Sequence, residues 1–157
     1  MNQTVKVKRS SIMLHRGLVG MQGLLVIQFA VGMYLNLYTK LPDIHPGTGD
    51  SYAPSIPWAI SGSAGLALSI HVIVWVLLTV GGVALLARAI ISHRKTIIVG
   101  TSLGLAFILM AGSSGLTFLN RCGANEESFM MALGFILALI AYGMTFYRTQ
   151  TNGSESK

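Results

Sequence analysis

The sequence predicts an all-α polytopic membrane protein, an up-down-up-down bundle of four transmembrane helices with both termini in the cytoplasm. The 157 residues are 52% hydrophobic and only 10% charged, whereas about a quarter of the residues in a soluble domain are charged. Four uncharged apolar runs are each about 20 residues long, which is enough to cross a bilayer as a helix. The basic residues also concentrate on one side of these runs.

The four predicted spans cover residues 17–38, 63–87, 97–119 and 128–147. They form one transmembrane domain, residues 17–147, between a basic tail at residues 1–16 and a polar tail at residues 148–157. Backbone amides and carbonyls in hydrocarbon cannot bond to water, so each span must be a helix. Short connections make sequential helices antiparallel.

Span one is predicted to be a membrane anchor that is not cleaved off, because its apolar run is longer than the roughly 7 to 15 residues of a signal-peptide core and no small-x-small cleavage site follows it.

The loop after span one is rich in Pro, Gly and Asp, which favour turns. In residues 52–60, Pro54, Pro57 and Trp58 favour a short turn or helix at the membrane interface.

Small residues recur along every span and suit close helix packing, which in membranes depends on the approach of backbones. They are Gly17, Gly20, Gly23 and Gly32 in span one; Ala64, Ala67, Gly81 and Gly82 in span two; Gly100, Gly104, Ala111 and Gly115 in span three; and Gly134, Ala138 and Ala141 in span four.

The charge distribution predicts the topology. Of the eleven Lys and Arg residues, all but Lys40 and Arg121 lie in the two tails or between spans two and three. By the positive-inside rule, these segments face the cytoplasm. The net charge of +6 therefore reflects topology rather than a nucleic-acid partner. The predicted partner is the lipid bilayer, with a larger membrane complex or a homo-oligomer as further candidates.

Motifs for catalysis are missing from the sequence. It has no phosphate-binding glycine loop, no Ser/His/Asp set and no carboxylate pair within the spans. Cys122 is the single cysteine and excludes an intramolecular disulfide. Asp43, His45 and Asp50 share the first loop without a recognised metal-ligand spacing. The sequence therefore predicts neither an enzyme nor a metal site.

His71 is the one side chain within the four spans that titrates near neutral pH. It lies about eight residues inside the predicted outer end of span two, roughly 12 Å deep by helical rise. Helical spacing places it on the face of Ala67, Val74 and Gly82, which should point into the bundle. An ionisable residue at this depth is a candidate functional residue, and imidazole is a common axial ligand of haem iron.

With this histidine and the apolar, glycine-containing helix that follows it, the chain resembles a group of small bacterial four-span membrane proteins. More distantly, it is similar to the haem-binding four-helix half of haem A synthase. In that family, histidines on the second and fourth helices hold haem b, and His71 matches the first by span. Span four has no histidine, and Met130 is the nearest substitute, since His/Met ligation of haem iron occurs. The resemblance implies haem b bound through His71 in a bacterial cytoplasmic (inner) membrane, for electron transfer or haem handling, and Met130 is the candidate for the second ligand.

Other interpretations stay open. The chain could be a non-catalytic accessory or structural subunit of a larger membrane complex, in which His71 bonds to a neighbour such as Gln28 and Met130 is packing. Gln28, near the middle of span one, should find a partner in span two or three, because an unsatisfied amide there is costly. His15 and His93 could clasp a second haem at the cytoplasmic end or serve as interfacial anchors. An oligomeric channel or carrier would need a polar lumen, which Gln22, Gln28 and Asn36 only partly supply.

Overall fold

The computed structural model describes residues 3–40, 42, 44–49, 54–121 and 125–154, with side chains between residues 12 and 150. Regular structure within these ranges is entirely helical, which confirms the all-α prediction for the described part of the chain. The helices are α1 (Gln3–Tyr38), α2 (Ser55–Ile60), α3 (Leu66–Ile91), α4 (Lys95–Asn120) and α5 (Asn125–Ser154). Asp43, Asp50 and Cys122 lie outside the described residues.

Four of these helices are long and apolar enough to cross a membrane, which confirms the predicted number of spans. The spanning segments are Ile12–Tyr38, Leu66–Ile91, Lys95–Asn120 and Asn125–Gln150. Their helices α1, α3, α4 and α5 correspond to spans one to four. The short helix α2 confirms the turn or helix predicted in residues 52–60, and its place at the membrane interface stays a prediction.

The helix ends differ from the predicted ends for local reasons. α1 extends back to Gln3 because residues 3–16 contain neither Gly nor Pro to stop it, so the described part of the predicted basic tail is helical. α3 begins later than predicted, at Leu66, because Gly65 adopts a φ of 98°. That left-handed conformation suits glycine and cannot be part of the helix.

The long helices pack as an antiparallel bundle. α1 lies beside α3 and α5, and α4 lies beside the same two helices, so α1 and α4 are diagonal, as are α3 and α5. Gly17 of α1 meets Leu85 of α3, whereas Gly32, fifteen residues further along, meets His71. As residue numbers rise along α1, the residue numbers of the contacts in α3 fall. The two helices are therefore antiparallel, as expected from short connections.

The predicted small-residue faces form much of the helix contact surface. The ring of Tyr142 on α5 lies against Gly104 of α4, and the indole of Trp75 on α3 lies against Gly112. Tyr142, Leu18 and Leu78 are fully buried at the centre. A smaller apolar cluster of Ala59, Leu68 and Leu119 fixes α2 against the end of the bundle where α4 finishes.

Candidate functional site

His71 lies where α3 contacts α1. Its Nε2 is 3.1 Å from Nε2 of Gln28, and a Cβ atom built on Gly32 would be 3.1 Å from its Cε1. Gln28 and Gly32 are one helical turn apart on α1, so the imidazole packs across one turn of the neighbouring helix. These contacts confirm that His71 faces the bundle and that Gln28 finds its partner in span two.

The direction of this hydrogen bond follows from the placement of the Gln28 amide. An amide nitrogen can only donate, so Nε2 of His71 accepts and the ring proton sits on Nδ1. Among the described residues, neither Nδ1 of His71 nor Oε1 of Gln28 has a hydrogen-bond partner, and both atoms are buried. Exchanging the amide N and O of Gln28 would reverse the bond and leave Nδ1 equally unpartnered. The pair therefore keeps one free hydrogen-bonding atom on each side chain.

Met130 lies at a different helix contact. Its side chain is 39% exposed and lines a cavity between α4 and α5 with Ser113, Ser114, Thr117, Glu126 and Glu127. Because α3 and α5 are diagonal helices, this cavity is separated from the contact of His71 with α1. No described contact joins the two predicted haem ligands, since His71 lies at the α1–α3 contact and Met130 at the α4–α5 contact.

His15 and His93, which the sequence offered as a second pair of haem ligands, also lie apart from each other. The ring of His15 on α1 lies 4.6 Å from the ring of Phe146 on α5. His93 sits in the exposed connection between α3 and α4, with a φ of 53°. No described contact joins them.

His45 is a buried residue whose position the sequence did not predict. It is 6% exposed, its Nε2 lies 2.9 Å from the backbone oxygen of Leu119, and its ring stacks on Trp58 at 4.2 Å and 5°. The last carbonyls of a helix lack partners within the helix, so His45 caps the end of α4. The one feature of the sequence that relates to the stacking of His45 is the aromatic side chain of Trp58 in the predicted short helix.

Asn120 extends the same polar network. Its Oδ1 accepts a 2.8 Å bond from the Ser55 hydroxyl, and its backbone oxygen accepts a 3.3 Å bond from the amide of Gly49. The hydroxyl of Ser69 donates to the oxygen of Ala59 at 2.8 Å. The loop at residues 44–49 and α2 are thereby bonded to the ends of α3 and α4, and we call this assembly the cap.

Glu127, at the start of α5, is another buried polar residue that the sequence did not single out. It is 8% exposed, and its Oε1 pairs with Nη1 of Arg121 at 2.8 Å. Its Oε2 is buried without a partner among the described residues. A carboxylate in a first turn also stabilises the helix through the macrodipole.

The described residues contain no group of three or more His, Cys, Asp or Glu side chains that could hold a metal ion. Comparison of the chain with protein-family models, curated proteins and solved structures gave no match.

Proposed function

We propose that this protein is a non-catalytic accessory or structural subunit of a larger complex in a bacterial cytoplasmic membrane, with both termini inside. The observation that carries the proposal is an outward stripe of small residues on α1. Gly20, Gly23 and Ala30 are exposed, and a Cβ built on either glycine would meet no atom within 4 Å. We call these three residues the α1 stripe.

The glycines of the other long helices behave differently. Each of those whose surroundings are described would bring a Cβ within 4 Å of another helix. They are Gly81, Gly82, Gly100, Gly104, Gly112, Gly115, Gly134 and Gly143. Within this bundle, a glycine is thus normally used for packing, and the two in the α1 stripe have no internal use.

Spacing supports the assignment of the stripe to a partner helix. Gly20, Gly23 and Ala30, with the exposed Ile27 between them, follow steps of three and four residues and so share one helix face. Small residues at such steps let a second backbone approach closely, and this packing drives helix association in lipid. In this function, His71 is a core residue that ties α1 to α3 through Gln28, so that the stripe is held on a fixed surface.

The test is assembly size in a mild detergent. We expect the tagged protein, produced at native levels, to elute as a stoichiometric complex, and Gly20→Leu with Gly23→Leu to release it as a monomer without loss of thermal stability. Matched controls are Ala84→Leu and Ala106→Leu, which enlarge exposed residues of α3 and α4. A monomeric wild-type protein, or a complex indifferent to both glycine changes, would contradict the proposal.

Binding of haem b through His71 is the competing proposal, and the unbonded Nδ1 of that ring supports it if the Gln28 amide is exchanged, because Nε2 then donates and Nδ1 keeps a lone pair for iron. The Gln28 and Gly32 contacts oppose it, because α1 would have to move away from the ring. The optical spectrum of the purified protein decides between the two. Expression with ample haem should give a Soret band that His71→Ala abolishes if haem binds, whereas a colourless protein supports the structural role.

A further inference from the structure

We infer that a pocket between α1 and α5 binds the headgroup of an anionic phospholipid. The described residues that line it are Ile12, His15 and Arg16 of α1 and Thr149 of α5. We call this space the basic pocket. Its volume is about 230 Å³, several times the roughly 30 Å³ that a water occupies in the liquid, so it admits a phosphate group. The inference does not require a partner on the α1 stripe.

Arg16 brings an unpaired charge to the basic pocket. Its side chain is exposed, and no hydrogen bond or ion pair joins it to another described residue. The guanidinium of Arg121, in contrast, is paired with Glu127 at 2.8 Å. A guanidinium carries five N–H donors in a planar fork that matches the oxygens of a phosphate. Arg16 therefore keeps its donors for a ligand.

His15 is held beside Arg16 by an aromatic contact. Its ring lies 4.6 Å from the ring of Phe146 on α5, at an angle of 34°, and no described hydrogen bond uses its nitrogens. A neutral imidazole has one N–H to donate. The hydroxyl of Thr149 already donates to the backbone oxygen of Phe146 at 2.6 Å. The free donors of the basic pocket thus come from α1, and α5 supplies the ring that orients His15.

The charge at this end of the bundle favours an anion. The acidic side chains among the described residues are Glu126 and Glu127, which lie in the first turn of α5 at the opposite end. The other three acidic residues of the chain lie outside the described residues. Basic pockets between membrane helices bind anionic headgroups. A headgroup with net negative charge, such as phosphatidylglycerol, is favoured over phosphatidylethanolamine, because an ammonium group would be repelled by Arg16. The described Lys and Arg side chains at the basic end are Arg16, Arg88, Arg94, Lys95 and Arg148.

The position of the basic pocket favours a lipid over a soluble phosphate. Ile12 begins the spanning segment of α1, and Thr149 is the last residue but one of the spanning segment of α5. Ile12, Val19 and Val26 are exposed, and steps of seven residues place them on one face of α1. They extend over about 21 Å by helical rise, which exceeds the roughly 15 Å of hydrocarbon in one leaflet. An acyl chain can therefore lie along them while the phosphate contacts Arg16.

The experiment is native mass spectrometry of the full-length protein in a maltoside detergent, with increasing phosphatidylglycerol or phosphatidylethanolamine of the same acyl chains. We expect saturable retention of phosphatidylglycerol in preference to phosphatidylethanolamine. Arg16→Gln should raise the half-saturating concentration of phosphatidylglycerol by about tenfold, since hydrogen bonds between ionised groups are the strong ones. His15→Phe keeps a ring beside Phe146 but removes the N–H, and it should raise that concentration by about threefold.

Arg94→Gln is the matched control. Arg94 is an exposed arginine at the same end of the bundle, but it is the N-cap residue of α4, which is diagonal to α1. At an ionic strength of about 0.15 M, where charges are screened beyond about 8 Å, its loss should leave the half-saturating concentration unchanged. Arg16→Lys should restore part of the retention lost in Arg16→Gln, because lysine keeps the charge without the planar fork.

Three results would overturn the inference. They are equal retention of the two lipids, equal effects of Arg16→Gln and Arg94→Gln, and displacement of phosphatidylglycerol by millimolar inorganic phosphate at constant ionic strength. The first would remove the preference for an anionic headgroup, and the second would show a diffuse attraction to the basic end. The third would assign the basic pocket to a soluble phosphate.

Discussion

The bond between Gln28 and His71 is the one described side-chain hydrogen bond that joins α1 to α3. Double-mutant cycles should give the Gln28→Ala and His71→Ala pair a coupling energy of about 0.6 to 1.7 kcal/mol, the range for hydrogen bonds between membrane helices. The measurement is the free energy of unfolding in a denaturing detergent. Each single change should also destabilise the bundle, because it leaves the other buried side chain unpartnered.

Gln22 offers the control for this cycle. Its amide donates to the backbone oxygen of Leu139 on α5 at 3.2 Å, so it shares no partner with His71. Gln22→Ala combined with His71→Ala should be additive within about 0.5 kcal/mol. Equal coupling in both cycles would mean that the Gln28 bond contributes nothing specific.

Among single residues, sequence predicted those whose surroundings follow from helix periodicity. His71 and Gln28 lie within long spans, so spacing alone placed one on the inner face and required a partner for the other. His45 and Glu127 lie at a loop and a helix start, where burial depends on which chain ends meet. The capping bond to Leu119 joins residues 74 positions apart, and no local pattern carries that information.

At the scale of elements, glycine contacts set the distance between helices. In Gly104→Ala, the new Cβ would lie 2.6 Å from Cζ of Tyr142, which is too close unless α4 and α5 separate. We expect a loss of about 1 to 3 kcal/mol, the usual cost of overpacking a core, seen as a lower midpoint of thermal unfolding. Gly23→Ala meets no atom within 4 Å and should leave the midpoint unchanged or raise it, since alanine favours the helix.

The cap is a second element with a measurable role. His45→Ala removes the bond to Leu119 and the stack on Trp58, and the buried carbonyl loses its partner at a cost of about 1 to 3 kcal/mol. In a Trp75→Phe background, Trp58 is the only tryptophan, and iodide should quench its fluorescence more strongly once the stack is lost. His93→Ala, in the exposed connection between α3 and α4, should leave the quenching unchanged. Equal quenching in His45→Ala and the parent would show that the cap does not depend on His45.

The helices themselves could be predicted because a backbone that crosses hydrocarbon must satisfy its own hydrogen bonds, and a single apolar span does so as a helix. Four apolar runs gave four helices. Small residues gave the inner faces of α3, α4 and α5, but in α1 Gly20 and Gly23 face outward.

The helix ends were less predictable. An apolar run shows which residues can lie in hydrocarbon, but it does not show where the backbone hydrogen bonds of the helix begin and end. α1 begins at Gln3 and includes charged residues that lie before the apolar run. α3 begins only after Gly65, whose left-handed φ is not helical. His71 and Met130 lie at different helix contacts, on the diagonal helices α3 and α5. Which helices become diagonal depends on the packing of all four long helices together, and no pattern within one helix shows it.

For the whole molecule, the remaining prediction is its orientation in the membrane. Four spans place both termini on one side, and the basic residues assign that side to the cytoplasm. Ser61 and Ser92 flank α3 at its two ends and are therefore suitable reporters. In a Cys122→Ala background, Ser61→Cys should react with a membrane-impermeant maleimide in intact cells. Ser92→Cys, beside Arg94 and Lys95, should react only after the cells are permeabilised. The reverse labelling pattern would show that the bundle has the opposite orientation, with the cap on the cytoplasmic side.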